Sequence, residues 1–157
     1  MDDQIAEMKT LFRKVSAKAR NIPASIRGAN QVLAEINPEI PVWLEDAPLS
    51  AGDYEEDERR DGSVRRWRKA MLLGYAQVGN VWQLAINNVE LEISSDEWQN
   101  ECEIVTQPCN PSALAHARQE IQIQAIHLLP DLVRLLESKG ESLLKAMEQA
   151  EKLAQGK

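Results

Sequence analysis

Histidine is the side chain most often used as a general base near neutral pH, and this chain of 157 residues has two, His116 and His127. If both lay on one helix, their separation of eleven residues would place them on nearly the same face, about 16 Å apart along the axis. That distance excludes a shared metal ion, and neither histidine stands in a recognisable arrangement with a serine or cysteine nucleophile. The histidines therefore predict surface positions and no catalytic residue.

Cysteine and histidine together could bind zinc, and Cys102, Cys109 and His116 follow one another at intervals of seven residues. Structural zinc sites usually place two cysteines about two to four residues apart, so that one turn presents both ligands. The interval here does not fit that pattern, and segment 74–79 lacks the glycine spacing of a phosphate-binding loop. We therefore predict two reduced thiols, no metal and no cofactor.

A run of basic residues around a tryptophan could bind a nucleic acid, because arginine binds phosphate and an aromatic ring stacks on a base. The acidic segment 53–62 comes just before this run and could instead pair with it as an internal electrostatic clasp. Both alternatives stay open from the sequence. The candidate nucleic-acid contacts are Arg65, Arg66, Trp67, Arg68 and Lys69.

Tryptophan supplies four of the seven aromatic residues, so the core must be mostly aliphatic. These four side chains could line a ligand pocket, or they could pack the sheet. The sequence does not decide between a ligand platform and packing. The four residues are Trp43, Trp67, Trp82 and Trp98.

The negative charge is concentrated in one part of the chain. Residues 37–64 carry nine acidic and two basic side chains, which alone equals the net charge of −7 of the whole chain. Many like charges repel one another and resist burial, so we predict a solvated, mobile acidic loop at 53–62, with a docking peptide for a basic partner as the alternative. The negative balance argues against non-specific binding of nucleic acid by the whole surface.

Membrane and secretion signals are not visible in the sequence. The apolar runs are only a few residues long, against the roughly 20 needed to cross a bilayer. The chain begins Met1-Asp2-Asp3, without a cationic segment followed by an apolar one, and it has only two cysteines. These features predict a cytoplasmic protein with no membrane partner.

The N-terminal third carries the clearest helical pattern, with apolar residues at alternating intervals of three and four. Pro23 lacks an N–H and should kink the helix or restart it. A stripe of this length needs a partner surface, which could be the rest of the chain or the matching helix of a second copy. The candidate interaction surface is Ile5, Met8, Phe12, Val15, Ile22 and Ile26.

The middle of the chain predicts an antiparallel meander of three or four strands. A short strand at 42–44 precedes a long strand at about 64–78, and Gly79-Asn80 is a hairpin signal before the next strand. In that next strand the apolar residues change from even to odd positions at Asn87-Asn88, which predicts a β-bulge there or, as the alternative, a second turn. A last strand is expected at 102–106.

The C-terminal third predicts helices over 111–155, with Asn110 and Pro111 at the start, a division near Pro130 and an end at Gly140 before the last amphipathic helix. The fold class is therefore a single α+β domain over 1–157. It comprises a helical arm at 1–37 that is kinked near Pro23, an antiparallel sheet at 42–107, and C-terminal helices packed on that sheet.

A hairpin with Leu73-Gly74-Tyr75-Ala76-Gln77-Val78 and Trp82-Gln83-Leu84-Ala85-Ile86 precedes a helix that contains Ala117-Arg118-Gln119-Glu120-Ile121 and Leu129-Pro130-Asp131-Leu132. Over residues 70–137 this order resembles small bacterial and phage-associated α+β proteins of unassigned function. The resemblance implies the α+β order and carries over no catalytic residue.

The function that these features favour is a non-enzymatic interaction or assembly protein of bacterial or phage type. We expect it to self-associate through its helices as a homodimer or to bind another protein. A nucleic-acid-associated regulatory protein that uses the basic run is the alternative, and a small-molecule enzyme or sensor with an unrecognised pocket is the third.

Overall fold

A computed structural model of the chain describes residues 2–36, 39–95, 101–108 and 111–156. Three helices and seven strands are found in these ranges, so the α+β class and the antiparallel sheet are confirmed. The helices are α1 (Asp2–Arg20), α2 (Ile22–Ile36) and α3 (Gln119–Ala154), with a short 3-10 helix at Leu114–His116. The strands are β1 (Val42–Trp43), β2 (Ser50–Ala51), β3 (Glu55–Glu58), β4 (Val64–Val78), β5 (Val81–Ser95), β6 (Glu101–Pro108) and β7 (Ser112–Ala113).

The centre of the sheet is a hairpin of β4 and β5, each 15 residues long. Gly79 turns the chain between them with φ 62°, a left-handed conformation that glycine adopts without a steric penalty. Strands β1, β2 and β3 pair one after another along the outer edge of β4, while β6 and β7 pair with the outer edge of β5. The described sheet therefore has seven strands instead of the three or four expected, because segments of two to four residues are too short to show an apolar alternation.

The acidic segment is partly a strand and not only a loop. Within 53–62, Glu55–Glu58 forms β3 and pairs with the basic start of β4. Glu56 lies opposite Arg66, and Asp57 lies opposite Arg65. Opposite charges on paired strands stabilise the pairing, which the like-charge argument from the sequence left out.

Asn87 and Asn88 form neither a bulge nor a turn in β5. They pair with Leu72 and Met71 in the regular β4–β5 register. The irregularity lies instead in the pairing of β5 with β6, where Glu90 and Leu91 lie opposite Gln107 and Val105 and Thr106 of β6 is the extra residue. Because the strand is regular through the two asparagines, its apolar residues before and after them point to opposite faces of the sheet.

The sheet consequently buries apolar residues on both faces. On the face that we call the helix face, Leu73, Tyr75, Leu84 and Ile86 pack with residues of α2 and α3. The opposite face, which we call the far face, buries a separate cluster that Trp43 and Val105 partly cover. The cluster consists of Ala70, Leu72, Val89 and Leu91.

Polar anchors fix α2 and α3 on the sheet. The Asn30 side-chain oxygen on α2 accepts a hydrogen bond from the backbone N–H of Leu84 at 2.7 Å. The buried Gln122 amide on α3 donates to the carbonyl oxygens of Leu114 and Ala115, at 3.2 and 3.1 Å. These bonds satisfy backbone groups near the 3-10 helix and β5, and so they fix where each helix lies.

The N-terminal helical segment restarts near Pro23, which was one of the two expected outcomes, whereas the C-terminal region differs from the sequence expectation in two places. The N-terminal helical segment divides at Asn21, between α1 and α2, with Pro23 in the first turn of α2. The C-terminal helices are one helix of 36 residues that begins at Gln119, contains Pro130 and passes Gly140. Segment 112–116, expected to be helical, forms β7 and the 3-10 helix. The apolar stripe of α3 continues on both sides of Pro130, so packing there offsets the cost of about 3 kcal/mol for an interior proline.

Candidate functional site

Helix α1 exposes a complete apolar stripe. Its large apolar side chains are between 43 and 63% exposed, although they recur at the spacing of one helix face. These residues are Ile5, Met8, Leu11, Phe12 and Val15.

The C-terminal half of α3 exposes a second stripe. We call residues 137–154 the α3 arm. Its large apolar residues are 46 to 78% exposed, and they continue the face of α3 on which Leu129, Leu132 and Leu136 pack against the core. The exposed residues are Leu143, Leu144, Met147 and Leu153.

Between these two stripes, α2 and α3 run side by side in the same direction. Near the start of α2, Ile22 lies beside Ile123 and Ile126 in a groove of about 340 Å³. Near the end of α2, Ile36 and Leu33 lie beside Leu136 in a groove of about 580 Å³. Helix α1 therefore joins the α2–α3 pair where α2 begins, and the α3 arm leaves it where α2 ends.

Two residues of the candidate interaction surface are not available to a partner. Ile22 is 7% exposed and Ile26 is fully buried, because α2 packs on the helix face of the sheet. The interaction surface is thereby reduced to Ile5, Met8, Phe12 and Val15 on α1, to which the structure adds Leu11 and the α3 arm. The sequence showed the α3 arm as an amphipathic helix, but periodicity alone does not tell a buried stripe from an exposed one.

Two of the four basic residues of the candidate nucleic-acid strand, Arg65 and Arg68, have their charges paired inside the chain. The Arg65 guanidinium donates to Glu90 at 2.8 Å, to Glu92 at 3.0 Å and to the Thr106 hydroxyl at 3.2 Å. Arg59 also pairs with Glu92. Glu90 and Glu92 are therefore partners of a guanidinium on a part-buried face of the sheet.

On the far face, three residues form a clamp around Tyr54. The guanidinium of Arg68 binds Glu103 through two nitrogens, at 3.0 and 2.5 Å. The carbon at the centre of the Arg66 guanidinium lies 4.6 Å from the centre of the Tyr54 ring, and that of Arg68 lies 5.0 Å from it. The Tyr54 hydroxyl donates to Glu103 at 2.6 Å, and this hydrogen bond raises the pKa of Tyr54 above its ordinary value.

Trp67 and Lys69 complete the strand. The Trp67 indole N–H donates to Asp57 on β3 at 2.8 Å, and the Arg65 guanidinium lies 5.0 Å from the Trp67 ring centre. Lys69 is exposed. A phosphate that approached Arg65 or Arg68 would have to displace carboxylates that already bind these residues. These carboxylates belong to β5 and β6, whereas the acidic segment 53–62 meets the basic run through the β3–β4 pairing and the Asp57–Trp67 hydrogen bond.

The other residues singled out in the sequence lie apart. His116 is exposed on the 3-10 helix and His127 is exposed on α3, so they do not share one helix. Cys102 is exposed on β6, and Cys109 lies outside the described residues. Among the residues that the structure describes, no three histidine, cysteine or acidic side chains lie close enough together to hold a metal ion.

The three tryptophans that the structure describes do not form one platform. Trp43 lies on the far face, whereas Trp82 stacks on Tyr75 on the helix face with 5.8 Å between ring centres. Trp67 lies at the other end of β4, beside β3. Trp98 falls outside the described residues.

No protein-family model matches this chain, and no curated protein or solved structure is significantly similar to it. Within the ranges that the structure describes, every helix is too short or too polar to pass through a lipid bilayer.

Proposed function

We propose that this chain is a non-enzymatic assembly protein that self-associates through α1 and the α3 arm. The observation that carries the proposal is the exposed stripe of α1, where Ile5, Met8, Leu11, Phe12 and Val15 all face solvent in the single chain. Single exposed apolar residues are ordinary on a protein surface, but a contiguous apolar stripe is typical of a contact surface.

The energetics favour association. Burial of one large apolar side chain stabilises by about 1.5–3 kcal/mol, so a few of these side chains offset much of the entropy lost when two chains associate. Helix α1 also depends on such a contact. Most of the stability of a helix of 19 residues comes from the packing of its apolar face and less from intrinsic propensity.

The position of the polar residues supports the same proposal. Lys9, Arg13 and Lys18 lie beside the stripe and not on it, which keeps the stripe apolar while its borders stay charged. An apolar centre with a charged rim is the usual composition of a protein–protein contact.

The test is the molar mass in solution, measured by sedimentation velocity and by light scattering after size-exclusion chromatography over a range of concentrations. The wild-type chain is expected to increase in mass with concentration. The double variant Met8→Glu/Phe12→Glu is expected to stay monomeric, because it places charges in the stripe.

The matched control is Thr10→Glu, which adds the same kind of charge on the face of α1 opposite to Phe12. It is expected to associate like the wild type. A wild-type chain that remains a monomer at every concentration would overturn the proposal, and so would a stripe variant that associates as strongly as the control.

A further inference from the structure

We infer that the contact is made head to tail: α1 of one copy binds the α3 arm of a second copy. This inference rests on the proposed self-association and specifies its geometry. The stripe of α1 is covered by the α3 arm of a second copy, and the α3 arm is covered by α1 of another copy.

The two stripes have matching lengths. At a rise of about 1.5 Å per residue, the 19 residues of α1 span about 28 Å and the residues 137–154 of the α3 arm span about 27 Å. α1 and the α3 arm extend from opposite ends of the α2–α3 pair. Within one chain, the two stripes therefore do not lie against each other.

The two stripes also have matching spacing. On α1, Met8, Phe12 and Val15 follow Ile5 at distances of three, seven and ten residues, all counted from Ile5. On the α3 arm, Gly140 is followed by three residues at the same distances, of which the first two are large and the last is small. These three residues are Leu143, Met147 and Ala150.

The chain already contains this pairing as the contact between α2 and α3. Ile26 and three further residues of α2 repeat the same intervals, and they lie beside a matching set on α3. The α2 residues are Ile26, Ala29, Leu33 and Ile36, and the α3 residues are Ile126, Leu129, Val133 and Leu136. A parallel contact between α1 and the α3 arm of another copy would extend the apolar rows of α2 and α3, and it would repeat the parallel packing of α2 on α3.

The size of the side chains fits the same register. At the two ends of this register, Ile5 lies opposite Gly140 and Val15 lies opposite Ala150, so a large residue meets a small one. In the middle, Met8 meets Leu143 and Phe12 meets Met147. A large residue opposite a small one lets two helices approach closely without a void.

The charges favour α1 with the α3 arm over α1 with a parallel α1. Residues 8–20 of α1 carry five basic side chains and no acidic one, so two such segments side by side would repel. In the head-to-tail register, the basic half of α1 lies level with residues 143–154 of the arm. Two acidic side chains, Glu148 and Glu151, and two basic ones, Lys145 and Lys152, leave that segment without net charge, so this repulsion is absent.

The consequence is an open-ended assembly. A contact that joins two different surfaces leaves one free α1 and one free α3 arm at the ends of every oligomer, so further copies add in the same way. A contact of α1 with α1 would instead close as a dimer.

The experiment uses two full-length variants that block one stripe each. The first is Met8→Glu/Phe12→Glu on α1, and the second is Leu143→Glu/Met147→Glu on the α3 arm. Since the replaced side chains are exposed, both variants are expected to keep the wild-type fold by near-ultraviolet circular dichroism. Each variant alone is expected to associate at least about 30-fold more weakly than the wild type, and their equimolar mixture is expected to form a discrete one-to-one dimer.

The mixture forms that dimer because the intact α1 of the second variant meets the intact arm of the first. A second variant that still dimerises alone, or a mixture that stays monomeric while the wild type associates, would overturn the head-to-tail contact and leave self-association standing. A monomeric wild type would overturn both proposals.

Discussion

The Trp43 indole lies directly against the Cα of Gly74 on the paired strands β1 and β4. A side-chain carbon at position 74 would lie 2.6 Å from Cζ3 of the indole, and nearer still to other atoms of Trp43 and Val42. This close approach lets Trp43 pack over the far-face cluster. Gly74 is therefore required for space, whereas Gly79 is required for its backbone conformation.

Substitution of Gly74 tests this approach. Gly74→Ala is expected to lower the free energy of unfolding by about 1–3 kcal/mol, because the new methyl group displaces Trp43 or the backbone of β1. The measurement is chemical denaturation. The control is Gly28→Ala in α2, where no atom lies within 4 Å of the added carbon and a gain of about 0.5–1 kcal/mol is expected. Equal effects of the two substitutions would contradict the close contact.

Arg65 is expected to contribute more to stability than an ordinary surface arginine. Arg65→Ala leaves Glu90 and Glu92 with one guanidinium partner fewer on a part-buried face, and we expect a loss of about 1–3 kcal/mol in denaturation experiments. Arg134→Ala is the control, since its pair with Asp131 is exposed, and a change within about 0.5 kcal/mol is expected. An Arg65→Ala variant as stable as the control would show that the network is weak.

The Tyr54 hydroxyl gives the clamp a spectroscopic readout. The pKa of Tyr54 is raised mainly because Glu103 accepts its hydrogen bond, while Arg68 and Arg66 oppose that effect. Glu103→Gln is therefore expected to lower the pKa of Tyr54, which ultraviolet absorbance of the tyrosinate measures as a function of pH. Tyr54→Phe serves to identify the signal, because Tyr75 is the other tyrosine and burial raises its pKa as well.

The sign of the pH dependence follows from the same shift. Since the pKa of Tyr54 in the folded state is above the unfolded value, its hydrogen bond stabilises the fold fully below pH about 10, and that stabilisation is lost as the pH rises through the folded pKa. Glu103→Gln is expected to weaken this alkaline dependence, because the negative charge that opposes ionisation of Tyr54 is removed. A pKa of Tyr54 that does not change in the variant would rule out Glu103 as its cause.

Two apolar residues of the N-terminal helices are expected to differ sharply in their effect on stability. Ile26→Ala creates a cavity in the core and is expected to cost about 2–5 kcal/mol. Phe12→Ala removes a side chain that is mostly exposed, and at protein concentrations below association it is expected to change the stability by no more than about 0.5 kcal/mol. Thermal unfolding at low and high protein concentration separates these effects, because association stabilises the folded chain. A large loss for Phe12→Ala at the lowest concentration would show that α1 packs within its own chain.

Local patterns were sufficient for α1, for α2 and for the central hairpin. The spacing of apolar residues in α1 and α2, and the glycine turn between β4 and β5, depend on neighbours a few residues apart, and a single sequence displays these directly. The short edge strands escaped prediction because two-residue segments have no period. The β3 strand escaped because its acidic residues are compatible with a sheet only when Arg65 and Arg66 lie opposite them.

The sequence by itself determined the α+β order, the break between α1 and α2 near Pro23, and the apolar stripe along the N-terminal helices. Only the tertiary structure decided that Ile22 and Ile26 are buried while Met8 and Phe12 are exposed, and that the basic strand binds carboxylates of its own chain. The physical reason is that periodicity reports which residues share a face of a helix or strand. What that face meets depends on residues that are distant in sequence and adjacent only after folding.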